Sequence, residues 1–196
     1  MAVNPWQPQD WVNCGSALMG NDPRLGQRLI ARGLQDLPHE ALAWFNLGIA
    51  LHQQRKIGAA IAAYRHALSL PGAPVAEATN NLAQDLLLSG AYGPGWELYE
   101  ERLKRPKHDH RYFKALAGPC WQGPHDPRPC EHLVLVAEQG FGDTLQFVRL
   151  AQLLHQQGLQ ITLFCQPALV PLLRAASGLL QVSDRVEPEA ITAQTR

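Results

Sequence analysis

The sequence contains an internal repeat, and the spacing of its copies restricts the chain to a small set of folds. The copies begin at Trp11, Trp44 and Thr79. Each copy has a leucine at its eighth residue and an asparagine at its third; the asparagines are Asn13, Asn46 and Asn81, spaced 33 and 35 residues apart. A period of this length is typical of helix–turn–helix units that stack on one another, because one unit alone leaves an apolar face unburied.

Large and small residues recur within the copies at helical spacing. In the middle copy, Trp44, Leu47 and Tyr64 are placed to fill the space between two helices. The small residues that would let the helices approach closely are Gly48, Ala60, Ala67, Ala83 and Gly95. We therefore predict a helical domain of about three repeats over residues 1–105.

The middle copy, residues 41–74, resembles the tetratricopeptide repeat, a 34-residue helical hairpin with the pattern W-x2-L-G-x2-Y, a later A-x3-F/Y and a terminal proline. Trp44, Leu47 and Gly48 match the first part of that pattern. Leu51 stands where the family has a tyrosine, and Pro71 comes one residue early. The resemblance implies a solenoid whose first helices line a concave groove.

In repeats of this family the position of Asn13, Asn46 and Asn81 faces that groove. The resemblance therefore implies a row of amides, such as protein O-linked N-acetylglucosamine transferases use to clamp an extended peptide. An amide both donates and accepts hydrogen bonds, so it can hold a peptide backbone without reading its sequence. The alternative is that these amides cap local backbone or face solvent.

Residues 106–131 are dense in proline and glycine, and we predict an irregular linker there. The segment holds Cys120, His125 and Cys130, with His132 just beyond it, but none of these residues has the close cysteine spacing of a structural zinc site. We predict no metal site, and we interpret the four scattered cysteines as reduced thiols of a cytoplasmic protein.

From residue 132 onward, strand and helix patterns alternate. Leu133–Ala137, Gln160–Cys165 and Leu179–Val182 are predicted strands, and amphipathic helices fill the two intervals. This order predicts a parallel sheet with crossover helices. The predicted fold class is therefore α plus α/β: a tetratricopeptide-like helical solenoid followed by a partial Rossmann-like β-α-β-α-β sheet over residues 132–196.

The turn after the first strand reads AEQGFGDT and ends at Thr144. Gly140-Phe141-Gly142 begins a dinucleotide motif, but Leu145 replaces the third glycine, and no lysine of a phosphate-binding loop follows. We expect the next helix to begin at Asp143 or Thr144. The charge of Asp143 would oppose a phosphate at that helix start, and a simple helix-capping role for it stays open.

The segment around this turn, with Trp121-x-Gly123 upstream and Gln166-Pro167 downstream, resembles bacterial proteins that join tetratricopeptide repeats to a glycosyltransferase-like domain. That domain is similar to heptosyltransferases of the class with two Rossmann domains. The resemblance implies that Asp143 is a general base for the acceptor hydroxyl. It also implies that the same cleft is lined by Glu138, Gln139, Gly140, Gly142 and Thr144.

The sugar-nucleotide site of such enzymes lies mostly in a second Rossmann domain, which this sequence lacks. We therefore expect a truncated protein that binds a protein or peptide, uses no cofactor and is inactive alone. The alternative is a glycosyltransferase that works when the donor-binding domain is present or supplied by a partner. A third reading makes Asp143 a cap and the α/β part a structural remnant.

Charge and hydropathy exclude several other classes of function. Lysine plus arginine total 17 and aspartate plus glutamate total 17, so no net charge attracts nucleic acid or an anionic membrane. No apolar run is long enough to span a bilayer, and the amino terminus is not a signal peptide. One face of the parallel sheet would lack helices, and we expect it to pack on the linker or repeats or to mediate self-association.

Overall fold

The computed structural model describes residues 6–104, 121, 123, 125–127, 129–138, 140–176, 178 and 181–185. The chain forms two compact units, residues 1–108 and 109–196. Much of the predicted linker, including Cys120, lies outside the described residues, as does Gln139.

The described part of the first unit consists of six helices arranged as three hairpins. The helices are α1 (Pro8–Leu18), α2 (Pro23–Leu34), α3 (Ala41–Gln53), α4 (Ile57–Ser69), α5 (Val75–Leu88) and α6 (Tyr92–Tyr99), followed by a 3-10 turn at Glu100–Lys104. Each odd-numbered helix packs most closely on the helix that follows it, and successive hairpins also contact each other. The paired-helix array predicted from the repeat period is confirmed.

Local sequence signals account for the hairpin turns. Asp22 precedes α2, and its Oδ1 accepts the backbone N–H groups of Arg24 and Leu25 at 3.1 and 3.0 Å. Pro23 supplies the fixed φ that suits the first position of a helix. Gly90, in the turn after α5, has a φ of 86°. Glycine adopts this left-handed conformation with little strain because it has no Cβ atom.

Close helix approach depends on glycine at the centre of the middle hairpin. A Cβ atom placed on Gly48 of α3 would lie 2.4 Å from Cε1 of Tyr64 on α4. Tyr64 is only 1% exposed, so its ring fills the space that the missing side chain leaves. The small residues expected at the helix contacts, such as Ala60 and Ala67, are fully buried.

Two apolar clusters hold the hairpins together. One contains Val12, Ile30, Leu34 and Ala43, and joins the first hairpin to the second. The other contains Leu51, Ala60, Ala63, Tyr64, Leu82 and Leu86, and joins the second hairpin to the third. Trp44 and Leu47 of α3 pack against both clusters. The middle hairpin is therefore the element that the two clusters share.

The second unit contains a three-stranded parallel sheet in the order β1-β2-β3. Its elements are β1 (His132–Val136), α7 (Phe141–Gln156), β2 (Gln160–Phe164), a 3-10 turn at Pro167–Leu169, α8 (Val170–Ala176) and β3 (Gln181–Ser183). The predicted β-α-β-α-β order is confirmed. Among the described helices of the two units, none combines the length and apolarity that crossing a bilayer requires.

The start of α7 differs from the prediction. The helix begins at Phe141, two residues before Asp143, and Gly140 is its N-cap residue. Asp143 lies in the first turn, and its carboxylate reaches back to the Gly140 backbone N–H at 3.2 Å. The aspartate therefore supports a helix start that lies before it, as the third residue of a capping motif does.

The two faces of the sheet have different surroundings. Leu133, Ile161, Leu163 and Val182 form one apolar core with Ala151 of α7 and Leu173 of α8. On the opposite face of the central strand, Thr162 is 5% exposed and Phe164 is 4% exposed. The central strand is thus buried on both faces. Our expectation was that this second face would pack on the linker or repeats or would mediate self-association. Self-association through it stays a prediction.

Candidate functional site

The first helix of the middle hairpin, α3, has a sector whose side chains are exposed or half-buried. Helix α3 contacts α4 through Gly48, α1 through Asn46 and α5 through His52. At 3.6 residues per turn, one sector of α3 lies between the directions of Asn46 and His52. We call this sector the outer strip; it carries Leu42, Phe45, Ile49 and Gln53. Leu42 and Gln53 are exposed, whereas Phe45 and Ile49 are half-buried and pack partly against the cluster that joins the second hairpin to the third.

Two of the predicted groove asparagines make hydrogen bonds with side chains of α1. Asn13 is exposed, and its Oδ1 accepts a hydrogen bond from Gln9 Nε2 at 3.1 Å. Asn46 is half-buried, and its Nδ2 donates to Ser16 Oγ at 2.8 Å. A primary amide has two N–H donors and an oxygen with two lone pairs, so each side chain keeps capacity for a further partner.

Asn81, the third predicted groove residue, is half-buried and hydrogen-bonds the side chain of Tyr64. Burial raises the pKa of the Tyr64 phenol far above its usual range, nearby Asp85 raises it further, and the Asn81 hydrogen bond opposes both effects. The phenol stays protonated as a result. Asn81, on α5 of the third hairpin, therefore contacts the core of the middle hairpin.

A histidine–aspartate pair joins α3 to α5, and sequence reasoning missed it. His52 Nδ1 and Asp85 Oδ1 are 2.6 Å apart, and the His52 side chain is 37% exposed while Asp85 is fully buried. The repeat itself holds the signal that could have revealed the pair. When Asn46 is aligned with Asn81, Asp85 falls on the position that Ala50 occupies in the preceding repeat. An acid thus replaces a small apolar residue in a buried position.

The surroundings of Asp85 are unfavourable for a charge. Burial raises the pKa of its carboxyl, and the hydrogen bond and charge of His52 act in the opposite direction. Within the described part of the chain, Asp85 Oδ2 is buried without a hydrogen-bond partner. Groups with strong desolvation and one specific charge partner are frequent at functional sites.

A separate open depression of about 950 Å³ lies where the start of α2 meets the turn between α3 and α4. Its charged lining residues are Asp22, Arg24, Arg28 and Lys56. The lysine Nζ bonds Gln27 at 3.0 Å. None of the predicted site residues lines this depression, and its charged side chains are exposed to solvent.

In the second unit, the predicted site residues lie after the first strand of the sheet. Gly140, Asp143 and Thr144 are brought together at the start of α7. Glu138 follows β1 and is half-buried, and Gln139 lies outside the described residues. Asp143 is exposed, so its carboxylate accepts the Gly140 N–H while remaining open to solvent.

Thr144 connects this turn to the end of the second strand. The side chain is 8% exposed, and Oγ1 donates to Gln166 Oε1 at 3.0 Å. The Gly140 carbonyl oxygen lies 3.3 Å from the same hydroxyl. Because β1 and β2 are parallel neighbours, their carboxyl ends share one edge, and Thr144 fixes the loop geometry there. Its role in the structure is to order the turn.

Two glycines at this turn have no explanation in backbone conformation or packing. Gly140 has a φ of −73°, and Gly142 lies within the first turn of α7, so any residue could adopt either conformation. A Cβ on Gly142 would meet no heavy atom within 4 Å, and one on Gly140 would meet only Asp143 Oδ2 at 3.7 Å. The backbone beside Asp143 is consequently open to close approach by another molecule.

Comparison with known proteins leaves the family open. The chain matches no model of a known protein family and no curated protein.

Proposed function

We propose that this chain is a peptide-binding repeat protein of the tetratricopeptide type, joined to the acceptor-side part of a glycosyltransferase-like domain. In this proposal the first helices of the three hairpins form the binding surface. Asn13, Asn46 and Asn81 supply hydrogen bonds to the peptide backbone, and the outer strip supplies apolar contact.

One observation carries the proposal: asparagine occupies the same place in the first helix of each successive hairpin, and in α3 it lies next to a sector with exposed and half-buried apolar side chains. Extended peptides need donors and acceptors at regular intervals, which a row of amides provides. Leu42, Phe45 and Ile49 add apolar area on the outer strip. Half-exposed aromatic and aliphatic side chains of this kind are common anchors in peptide-binding surfaces.

Peptide selection tests this function directly. The full chain is used to select binders from a displayed library of random 12-residue peptides, and affinities are measured by fluorescence anisotropy. Each lost hydrogen bond is worth about 0.5–1.5 kcal/mol, so Asn13→Ala and Asn46→Ala should each weaken binding about two- to tenfold.

The matched control is Arg65→Ala, which removes an exposed side chain from α4, the second helix of its hairpin. This variant should bind like the unmodified chain. Failure to select any peptide would reject the function. Selected peptides that bind equally well to both asparagine variants would reject the role of the asparagine row.

A second candidate function concerns the turn after β1. Asp143 is exposed beside two glycines whose presence neither conformation nor packing explains, which supports close approach of a ligand to its carboxylate. We propose that this is the acceptor side of a glycosyl-transfer site, with Asp143 as the general base. The carboxylate would accept the proton of an acceptor hydroxyl within about 3.2 Å.

Asp143→Asn tests this second function in an assembly that also contains a donor-binding domain. The amide oxygen of asparagine can still accept the Gly140 N–H but cannot serve as the base. Transfer should fall by about 100-fold or more, the scale of general-base catalysis, while melting changes little. The unassisted chain should show no sugar-nucleotide turnover. Transfer that survives the substitution would leave Asp143 with a capping role alone.

A further inference from the structure

The His52–Asp85 pair has the geometry of a positioned imidazole. Asp85 Oδ1 lies 2.6 Å from Nδ1, and Asp85 is fully buried. Because Nδ1 is held against a buried group, the exposed 37% of the side chain belongs to the remainder of the ring, which includes Nε2. His52 also borders the outer strip.

Packing alone does not account for an acid at position 85. Ala50, which takes the corresponding place in the preceding repeat, is fully buried in a contact between helices. A carboxylate at such a place loses its hydration, and only one of its oxygens gains a partner among the described residues. Replacing a buried ion pair by apolar residues is often neutral or stabilising, so stability gives no reason for this pair.

An ionised carboxylate determines which nitrogen of its histidine partner carries the proton. When the Asp85 carboxylate is ionised and the ring is neutral, the 2.6 Å contact requires the proton on Nδ1, because two acceptors would repel each other. The lone pair of the neutral ring is then on Nε2, at the exposed side. The same arrangement orients histidines in metal and catalytic sites.

We propose that His52 contacts the bound peptide, and that Asp85 is its positioning residue. Asp85 holds the imidazole so that Nε2 accepts a hydrogen bond from a peptide N–H, beside the Asn46 amide on the same helix. This inference rests on the proposed peptide-binding function and names a residue of that same surface.

The test combines a spectroscopic signature with binding. Long-range proton–nitrogen NMR correlations on the full chain, at a pH of about 8 where ordinary histidines are neutral, identify the protonated ring nitrogen. The expected tautomer for His52 has the proton on Nδ1. In Asp85→Ala, which copies Ala50, the proton should move largely to Nε2.

Binding is then measured with the peptide selected for the function test. Asp85→Ala and the double variant His52→Phe/Asp85→Ala should both weaken binding about three- to tenfold, the loss expected for one hydrogen bond. His39→Phe removes an exposed histidine before α3 and should leave affinity unchanged. The double variant keeps an apolar ring without burying an unpaired charge.

Each outcome decides the proposal. A proton on Nε2 in the unmodified chain would overturn the positioning role of Asp85. Unchanged peptide affinity in the double variant, when the asparagine variants do weaken binding, would overturn the His52 contact while leaving the proposed function standing. Absence of any selectable peptide would overturn both together.

Discussion

Gly48 offers the most direct test of how the helices of the middle hairpin pack. In Gly48→Ala, the new Cβ would lie 2.4 Å from Cε1 and 2.6 Å from Cδ1 of Tyr64. Carbon atoms prefer separations of about 3.5–4.0 Å, so the ring or the helix must move by about 1 Å. Tyr64 is 1% exposed and hydrogen-bonded to Asn81, which leaves its ring little freedom.

Two opposing effects determine the magnitude. Overpacking a closely packed core costs about 1–3 kcal/mol, and sometimes more. Alanine in place of glycine inside a helix returns about 1 kcal/mol. We expect a net loss of up to about 2 kcal/mol for Gly48→Ala. Gly58→Ala in α4 is the control, because a Cβ there meets no atom within 4 Å, and it should gain up to about 1 kcal/mol.

Urea unfolding followed by far-UV circular dichroism measures both variants. At about 4–8 °C per kcal/mol for a unit of this size, the two alanine variants should also separate clearly in melting temperature. Tyr64→Leu should partly relieve the cost in the Gly48→Ala background, because it removes the ring that the new methyl group meets. Equal shifts for Gly48→Ala and Gly58→Ala would refute the close contact between α3 and α4.

Three further perturbations test other parts of the structure. Asp143→Ala removes the acceptor of the Gly140 N–H, and urea titration should show a loss of about 0.5–1 kcal/mol; no change would show that the contact contributes nothing. Thr144→Val removes the bond to Gln166, and about 1 kcal/mol should be lost in the same assay, whereas a gain would contradict an ordering role. Burial raises the pKa of the Asp85 carboxyl in the folded chain. The stability that comes from the bound proton is therefore fully present below pH 3.8, the ordinary aspartate pKa. This stability is lost as pH rises through the pKa of the folded chain. Asp85→Ala should therefore gain stability relative to the unmodified chain as pH rises from 3.8, and parallel pH profiles would contradict this sign.

The repeat period and the strand pattern were sufficient to predict the arrangement of the chain. The spacing of Asn13, Asn46 and Asn81 predicted three hairpins, since such a period fits one helix pair per copy. The residues at which helices begin and end were harder to predict from the sequence. Helix α7 begins at Phe141, before the predicted start, because the Asp143 carboxylate reaches backward to Gly140 instead of occupying the N-cap position itself.

Site residues were harder to predict because they depend on contacts between repeats. His52 and Asp85 are 33 residues apart, and only stacking of α5 beside α3 brings them together. Comparison of the aligned copies would have shown an acid at the position of Ala50, although not its partner. The sequence likewise did not indicate that Asn81 would contact the Tyr64 hydroxyl region of the neighbouring hairpin.

Trp44 and Leu47 have a consequence for cooperativity, because they pack against both apolar clusters of the helical unit. In a stacked array, stability is the sum of the intrinsic stability of each hairpin and the coupling between neighbours. Part of each coupling passes through this turn of α3. Loosening that turn would weaken the coupling of the first hairpin to the third even though neither is altered. The outer hairpins would then open separately in hydrogen exchange, while an intact α3 makes all three exchange as one unit.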